Sequence, residues 1–268
     1  MALPRPRQAS TALITGASSG IGAAIAAQLA ERGHGLTLVA RREDMLTELA
    51  TRLHDRHGVR VGVIASDLGD PADRDRMVEK LAELGLDVEI LVNNAGFGHA
   101  GKFVDADRER QVEMVRVNCE TVVDLSSRYL QAMVGRRQGA VINIASTAAF
   151  QPMAGSATYA ASKAFVLSFS EALHQEAKGS GVTVTAICPG PVRTEFTQAA
   201  GMEGAEEAAP SFLWMSAEDL AQQSVKAAEA GKRAVVPGRL NYAGSLLGRH
   251  VPRKFVLPVS QRFWSRAE

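Results

Sequence analysis

A doubly wound α/β domain is the fold this sequence predicts, on three observations. Seven short β-branched or aliphatic runs alternate with longer helical patterns, the first strand runs into a glycine-rich turn, and no repeat or low-complexity linker breaks the rhythm. The strand runs fall at residues 11–15, 35–40, 60–65, 88–92, 140–144, 182–188 and 234–236. They read as near-continuous apolar segments, as expected for strands buried on both faces. Helical spacing appears at 21–32, 42–57, 70–84, 108–136, 158–178 and 217–230, which makes each strand–helix–strand unit a parallel crossover.

Composition narrows the class. The 268 residues are 46% hydrophobic and 22% charged, enough apolar material for one large core, and a single domain over 1–268 is expected. A net charge of +1 offers no field for nucleic acid. No run of 18 apolar residues is present, and residues 1–7 carry two prolines and no apolar signal segment. Cys119 and Cys188 lie in apolar stretches without metal-ligand or CxxC spacing, so they read as small buried hydrophobes in a reducing, cytoplasmic setting, and no metal is expected.

The first strand leads through Gly16, Ala17, Ser18, Ser19, Gly20, Ile21 and Gly22 into a helix. Glycines at that turn let backbone approach a pyrophosphate, and the helix N-terminus adds unpaired N–H groups and a positive dipole end. The second strand ends at Ala40-Arg41-Arg42, with no carboxylate for a ribose diol. A guanidinium there suits a 2′-phosphate, which favours NADP(H), with Arg41 as the reader and Arg42 as a surface residue. Asp67, after the third strand, is placed either to accept from an adenine amino group or to cap the next turn.

Tyr159 and Lys163 sit at i and i+4 near the start of a helix, on one face. Alone the pair is a cheap pattern. Ser146 closes the fifth strand, Asn93-Asn94-Ala95-Gly96 follows the fourth, and Asn118 lies in the long helix between, so polar groups gather at one sheet edge. Each has a structural alternative: Asn93 as a turn residue, Asn118 bonded to backbone, Ser146 as a cap. An ammonium at Lys163 is expected to lower the phenol pKa of Tyr159.

With these residues in view, the chain resembles the short-chain dehydrogenase/reductase family from Thr15 to about Val236. Thr15-Gly16-x-x-x-Gly20-Ile21-Gly22, Asn93–Gly96, and Pro189-Gly190 with Thr194 match its motifs. Asn118, Ser146, Tyr159 and Lys163 match its catalytic tetrad in order. The resemblance implies a Rossmann-type seven-stranded sheet and carbonyl/alcohol chemistry with NADP(H). It places the cofactor against Gly16, Ser18, Ser19, Gly20, Ile21, Gly22, Arg41, Asp67, Asn94, Ala95, Gly96, Tyr159, Lys163, Pro189, Gly190, Val192 and Thr194. A dimer or tetramer on the long helices is also implied, as is a water path from Lys163 that Asn118 helps to hold. Ser19 departs from many NADP-preferring relatives, which carry Arg or Lys in the loop.

Two segments interrupt the alternation. Residues 195–216, with Phe196, Met202, Phe212, Leu213, Trp214 and Met215 around a small acidic middle, read as a substrate lid. The tail 238–268 carries Arg239, Arg249, Arg253, Lys254, Arg262 and Arg266, interleaved with Leu246, Leu247, Phe255, Val256, Leu257, Phe263 and Trp264. Packing on its own domain or a neighbouring subunit is favoured over membrane contact, since Pro252 and Pro258 interrupt a long helix. Phe97, Phe150, Pro191 and residues 212–215 suggest an apolar substrate pocket, and His99 is left out of the site. The reading is an oxidoreductase for an apolar carbonyl or alcohol. The alternatives are a reductase of acyl or lipid ketones at a membrane surface and a non-catalytic NADP(H) sensor.

Overall fold

Strand β1 (Ser10–Thr15) is buried at every position and lies inside one parallel sheet. In the computed structural model, which describes residues 3–201, 211–251, 253 and 257, the chain continues through α1 (Gly20–Glu31), β2 (Leu36–Ala40), α2 (Glu43–His57), β3 (Val61–Ala65), α3 (Pro71–Glu83) and β4 (Asp87–Asn93). The second half holds α4 (Arg108–Val115), α5 (Thr121–Arg136), β5 (Gly139–Ile144), α6 (Ala157–Glu176), β6 (Val182–Ile187), α7 (Phe196–Ala199), α8 (Ala217–Glu229), β7 (Ala234–Val235) and α9 (Arg239–His250). The sheet order is β3-β2-β1-β4-β5-β6-β7, with every pairing parallel. The doubly wound, seven-stranded expectation is met.

Alternate side chains of each strand feed two cores. Ala12 and Ile14 of β1 join Ile90 and Ile142 against α1, α2 and α8, where Ile25, Leu29, Leu46, Leu220 and Val225 are buried. Leu13, Leu91 and Val141 point the other way, onto Met77 and Leu81 of α3 and Leu125 and Met133 of α5. Period-two alternation thus covers both faces, each buried Leu or Ile contributing about 1.5–3 kcal/mol. Strand order reverses between β1 and β4, and at such a switch point the loops after the strands part to leave a crevice.

The expected helix over 108–136 is present as one helical run with a π-turn at Arg116–Glu120, between α4 and α5. Thr121 sits at the widened turn, its hydroxyl donating to the Leu68 carbonyl at 2.8 Å with the Arg116 carbonyl 3.2 Å away as the alternative acceptor. Helix α9 is a structural finding the sequence reading lacks, because Gly244 and Gly248 dilute the helical signal. Among the described residues, no helix is long and apolar enough to cross a membrane. Met202 and the acidic middle of the lid lie outside the described residues. So do Pro252, Lys254, Phe255, Val256, Pro258, Arg262, Phe263, Trp264 and Arg266, and the side chains of Leu247 and Arg249.

Candidate active site

The turn after β1 is built so that backbone, not side chains, faces the crevice. Gly16 and Gly20 hold φ of +63° and +56°, a region unfavourable to other residues. A Cβ on Gly22 would stand 2.4 Å from the Gly16 carbonyl oxygen and 2.6 Å from Asn94 Nδ2. Asn94 braces the turn by donating to the carbonyls of Thr15 and Gly16 at 2.9 and 3.1 Å. The Thr15 hydroxyl donates to the Val92 carbonyl and accepts from the amides of Asn94 and Ala95. Ser19 is the N-cap of α1, yet its hydroxyl caps nothing, and the first turn holds no acid. The α1 N-terminus therefore keeps its positive end and its amides for an anion.

Tyr159, Lys163, Ser146 and Asn118 converge where β4, β5 and α6 meet. Ser146 lies two residues past β5 and caps the following 3-10 turn, accepting from the Ala148 amide at 3.1 Å, and its hydroxyl also bonds the Tyr159 phenol. Lys163 is buried, and its Nζ donates to the Ile144 carbonyl at 3.0 Å while lying 5.8 Å from the Tyr159 ring centre. Asn118, inside the π-turn, donates to the Phe97 carbonyl and Ser162 hydroxyl, both at 3.0 Å, and accepts from the Phe97 amide at 3.1 Å. Its side chain is a brace between the loop after β4 and α6. Gly96 lies between them: a Cβ there would stand 2.9 Å from Asn118 Oδ1 and 3.3 Å from Lys163 Nζ.

Burial pushes the Tyr159 phenol up to about 12, with the Ser146 hydrogen bond acting downward. Burial brings the Lys163 ammonium down to about 8. The expected lowering of Tyr159 by Lys163 is thus corrected. Desolvation by burial dominates the phenol, while Lys163 Nζ is directed to the Ile144 carbonyl. Since Tyr159 keeps surface toward the crevice, water screens part of its shift.

These groups border one crevice of about 820 Å³, within the range of cofactor and substrate sites. Gly16, Ser18, Ser19, Gly20, Ile21, Arg41, Asp67, Asn94, Ala95, Gly96, Pro189, Gly190, Val192 and Thr194 line it, with Ser146, Tyr159 and Lys163. Gly22 and Asn118 stand just behind, as spacer and brace. Phe97, Phe150, Met153, Pro191, Phe196, Leu213, Trp214 and Leu240 add apolar lining. Bare glycines, a helix whose own first turn carries no acid and two arginines at the rim fit a phosphorylated dinucleotide.

A family model described as short chain dehydrogenase matches residues 10–204. This chain belongs to that family. It is 37% identical over 217 residues to "Sulfoacetaldehyde reductase 2" of Chromohalobacter salexigens, covering 78% of this chain and 84% of the relative. It is 35% identical over 192 residues to "Very-long-chain 3-oxoacyl-CoA reductase" of Anas platyrhynchos, 70% of this chain but only 61% of that one's length. Among solved structures it is similar to a short-chain dehydrogenase from Sphingobium yanoikuyae in complex with NADPH. There the identity is 34%, the TM-score 0.79, and coverage 91% of this chain and 97% of the other.

Within this family member several side chains depart from the sequence reading. Arg41 is 69% exposed and, among the described residues, pairs with Glu113 at 3.7 Å, whereas Arg42 is exposed as expected but also bonds Ser18, Ser19 and Glu195 across the crevice mouth. The Asp67 carboxylate accepts from the Gly69 amide at 3.0 Å, the capping alternative, while still lining the crevice. Asn93 is a core residue bonded to Ser126 and Asn143, not a turn residue. Phe212 is exposed and Met215 packs on the core, so of residues 212–215 only Leu213 and Trp214 face the pocket. His99 lines a separate cavity of about 20 Å³ beside Tyr159, where its Nε2 and that of Gln111 have no partner among the described residues. Asn241 went unread because its helix did; it packs on Gly190 and lines the crevice.

Proposed function

We propose that this short-chain dehydrogenase is an NADP(H)-dependent oxidoreductase interconverting a carbonyl and a secondary alcohol on an apolar substrate. The observation that carries it is the Ser146–Tyr159 hydroxyl pair beside buried Lys163, between a phosphate-ready turn and an apolar wall. Gly16, Ser18, Gly20 and Ile21 would hold the pyrophosphate end, and Arg41 and Arg42 the 2′-phosphate. Lys163, Val192 and Thr194 would lie along the nicotinamide end. When bound, that ring supplies or accepts the hydride.

In reduction, Tyr159 gives its proton to the carbonyl oxygen and Ser146 donates a hydrogen bond to the same atom. A phenol held at about 12 is fully protonated at neutral pH, the form this direction needs. Lys163, at about 8, is still largely ammonium there, and Asn118 fixes the loop after β4 against α6. The intact tetrad favours catalysis over a sensor. The 3-oxoacyl and bulky-ketone substrates in the names of similar proteins agree with aromatic residues in the crevice lining.

The test is oxidation of NADPH against NADH over steroids, small ketones, quinones and 3-oxoacyl thioesters. A preference for NADH would remove the 2′-phosphate role from the arginines. The lid (195–216) and tail (238–268) of the one domain are proposed as its substrate walls, supported by Leu213, Trp214 and Leu240 in the lining. A cytoplasmic setting is supported by two cysteines that form no disulfide. A homo-oligomer is supported by exposed Val112, Val115, Val123 and Val134 on the α4–α5 run and Phe165 on α6, and light scattering measures it directly.

A further inference from the structure

The crevice mouth holds a carboxylate where its cations invite an anion. Arg42 donates through Nη2 to Ser18 Oγ at 3.0 Å, Ser19 Oγ at 2.9 Å and Glu195 Oε2 at 3.0 Å, and through Nε to Ser18 Oγ at 3.3 Å. Three acceptors crowd a nitrogen with two hydrogens. Glu195 also bonds the Ser19 hydroxyl, the one that forgoes capping α1, and these partners hold its carboxyl below the usual range. Its chain neighbour Thr194 packs on Gly20, whose Cβ would stand 3.1 Å from the threonine methyl. All four residues line the crevice, and the pair is about half exposed, so an incoming ligand can reach it.

We propose that Glu195 is a specificity-determining residue whose carboxylate stands in for the 2′-phosphate of NADP(H) on Arg42 and Ser19 and is displaced by it. This rests on the NADP(H) reading above. A 2′-phosphate brings more negative charge and three acceptor oxygens, which match a guanidinium better than one carboxylate oxygen does. A cofactor with a bare 2′-hydroxyl has nothing to exchange and leaves the Arg42–Glu195 pair in place. Glu195 therefore sets the strength of NADP(H) binding without touching the reacting atoms.

The experiment is calorimetric titration of the full chain, as parent, Glu195→Gln, Glu195→Asp, Arg42→Ala and Arg41→Ala, with NADPH, NADH and adenosine 2′,5′-bisphosphate. Glu195→Gln should bind NADPH and the bisphosphate about two- to fivefold more tightly, the scale of an exposed ion pair, and leave NADH unchanged. The shorter Asp should do the same by losing its reach. Unchanged NADPH affinity in both Glu195 variants, or an equal gain for NADH, overturns the proposal. If the arginine variants weaken NADPH while the Glu195 variants do nothing, only the competitor role falls. If neither arginine variant moves NADPH, the 2′-phosphate reading falls with it.

Discussion

Phe196 lays its ring 5.5 Å from that of Tyr159, at an interplanar angle of 49°, so the first residue of α7 touches the residue proposed to handle the proton. The same ring approaches Gly98, where a Cβ would stand 3.0 Å away. A tilted aromatic pair contributes about 0.5–1.5 kcal/mol beyond its burial. Phe196→Ala should therefore lower kcat about two- to tenfold and raise KM for an apolar ketone. NADPH affinity, read by fluorescence titration, should stay within twofold, since Phe196 lies at the apolar end. A loss confined to NADPH binding would show that α7 serves the cofactor instead.

Tyr159→Phe keeps that ring contact and removes only the hydroxyl. Proton transfer from a positioned group accounts for about 10²–10⁴ in rate, so turnover should fall by at least that factor. NADPH should still bind, and thermal stability should change little. Retained turnover would take Tyr159 out of the chemistry and leave Ser146 as the group at the carbonyl oxygen.

The strands, six helices and the crevice position were legible in sequence because they rest on local spacing: aliphatic runs, 3.6-residue periodicity and glycines at one turn. The grouping of the four candidate site residues was legible because Tyr159 and Lys163 share a helix face and Ser146 follows a strand. What stayed hidden depends on long-range partners. Arg41 and Arg42 are adjacent and chemically identical in sequence. Only Ser18, Ser19 and Glu195, brought in from two other loops, separate their roles. The Tyr159 pKa goes the opposite way because no spacing reveals how strongly the fold desolvates the phenol. The π-turn around Asn118 was invisible too, since a one-residue widening leaves the apolar pattern of 108–136 nearly intact.

Gly96 tests whether the brace and the ammonium must be close. An added Cβ would press on Asn118 Oδ1 at 2.9 Å and Lys163 Nζ at 3.3 Å, and Asn118, with both amide ends bonded, has no slack. Gly96→Ala should cut kcat by about tenfold or more, with a stability loss of about 1–3 kcal/mol from overpacking. Single-turnover kinetics and thermal denaturation separate the two effects. Full activity would mean the loop after β4 yields without consequence to the site.

Lys163 carries a stability cost whose pH dependence has a definite sign. Its folded value is about 8 against 10.5 for the ordinary side chain, so between those values the unfolded chain holds a proton that the folded chain lacks. Stability from this group therefore rises with pH across that window, and below about pH 8 the burial cost is present in full. The shift corresponds to a cost on the order of 3 kcal/mol near neutral pH. Lys163→Met removes the charge, keeps the length, and deprives the Ile144 carbonyl of a donor worth about 1 kcal/mol. The variant should be inactive yet melt higher than the parent near pH 7, with the gap closing between about pH 8 and 10.5. Tyr159, held at about 12, erodes stability only as pH climbs above 10, and it does so in both proteins, so it drops out of the difference. Melting curves that stay parallel across the window, or a variant that melts lower at neutral pH, would mean the ammonium is stabilised in place by its surroundings.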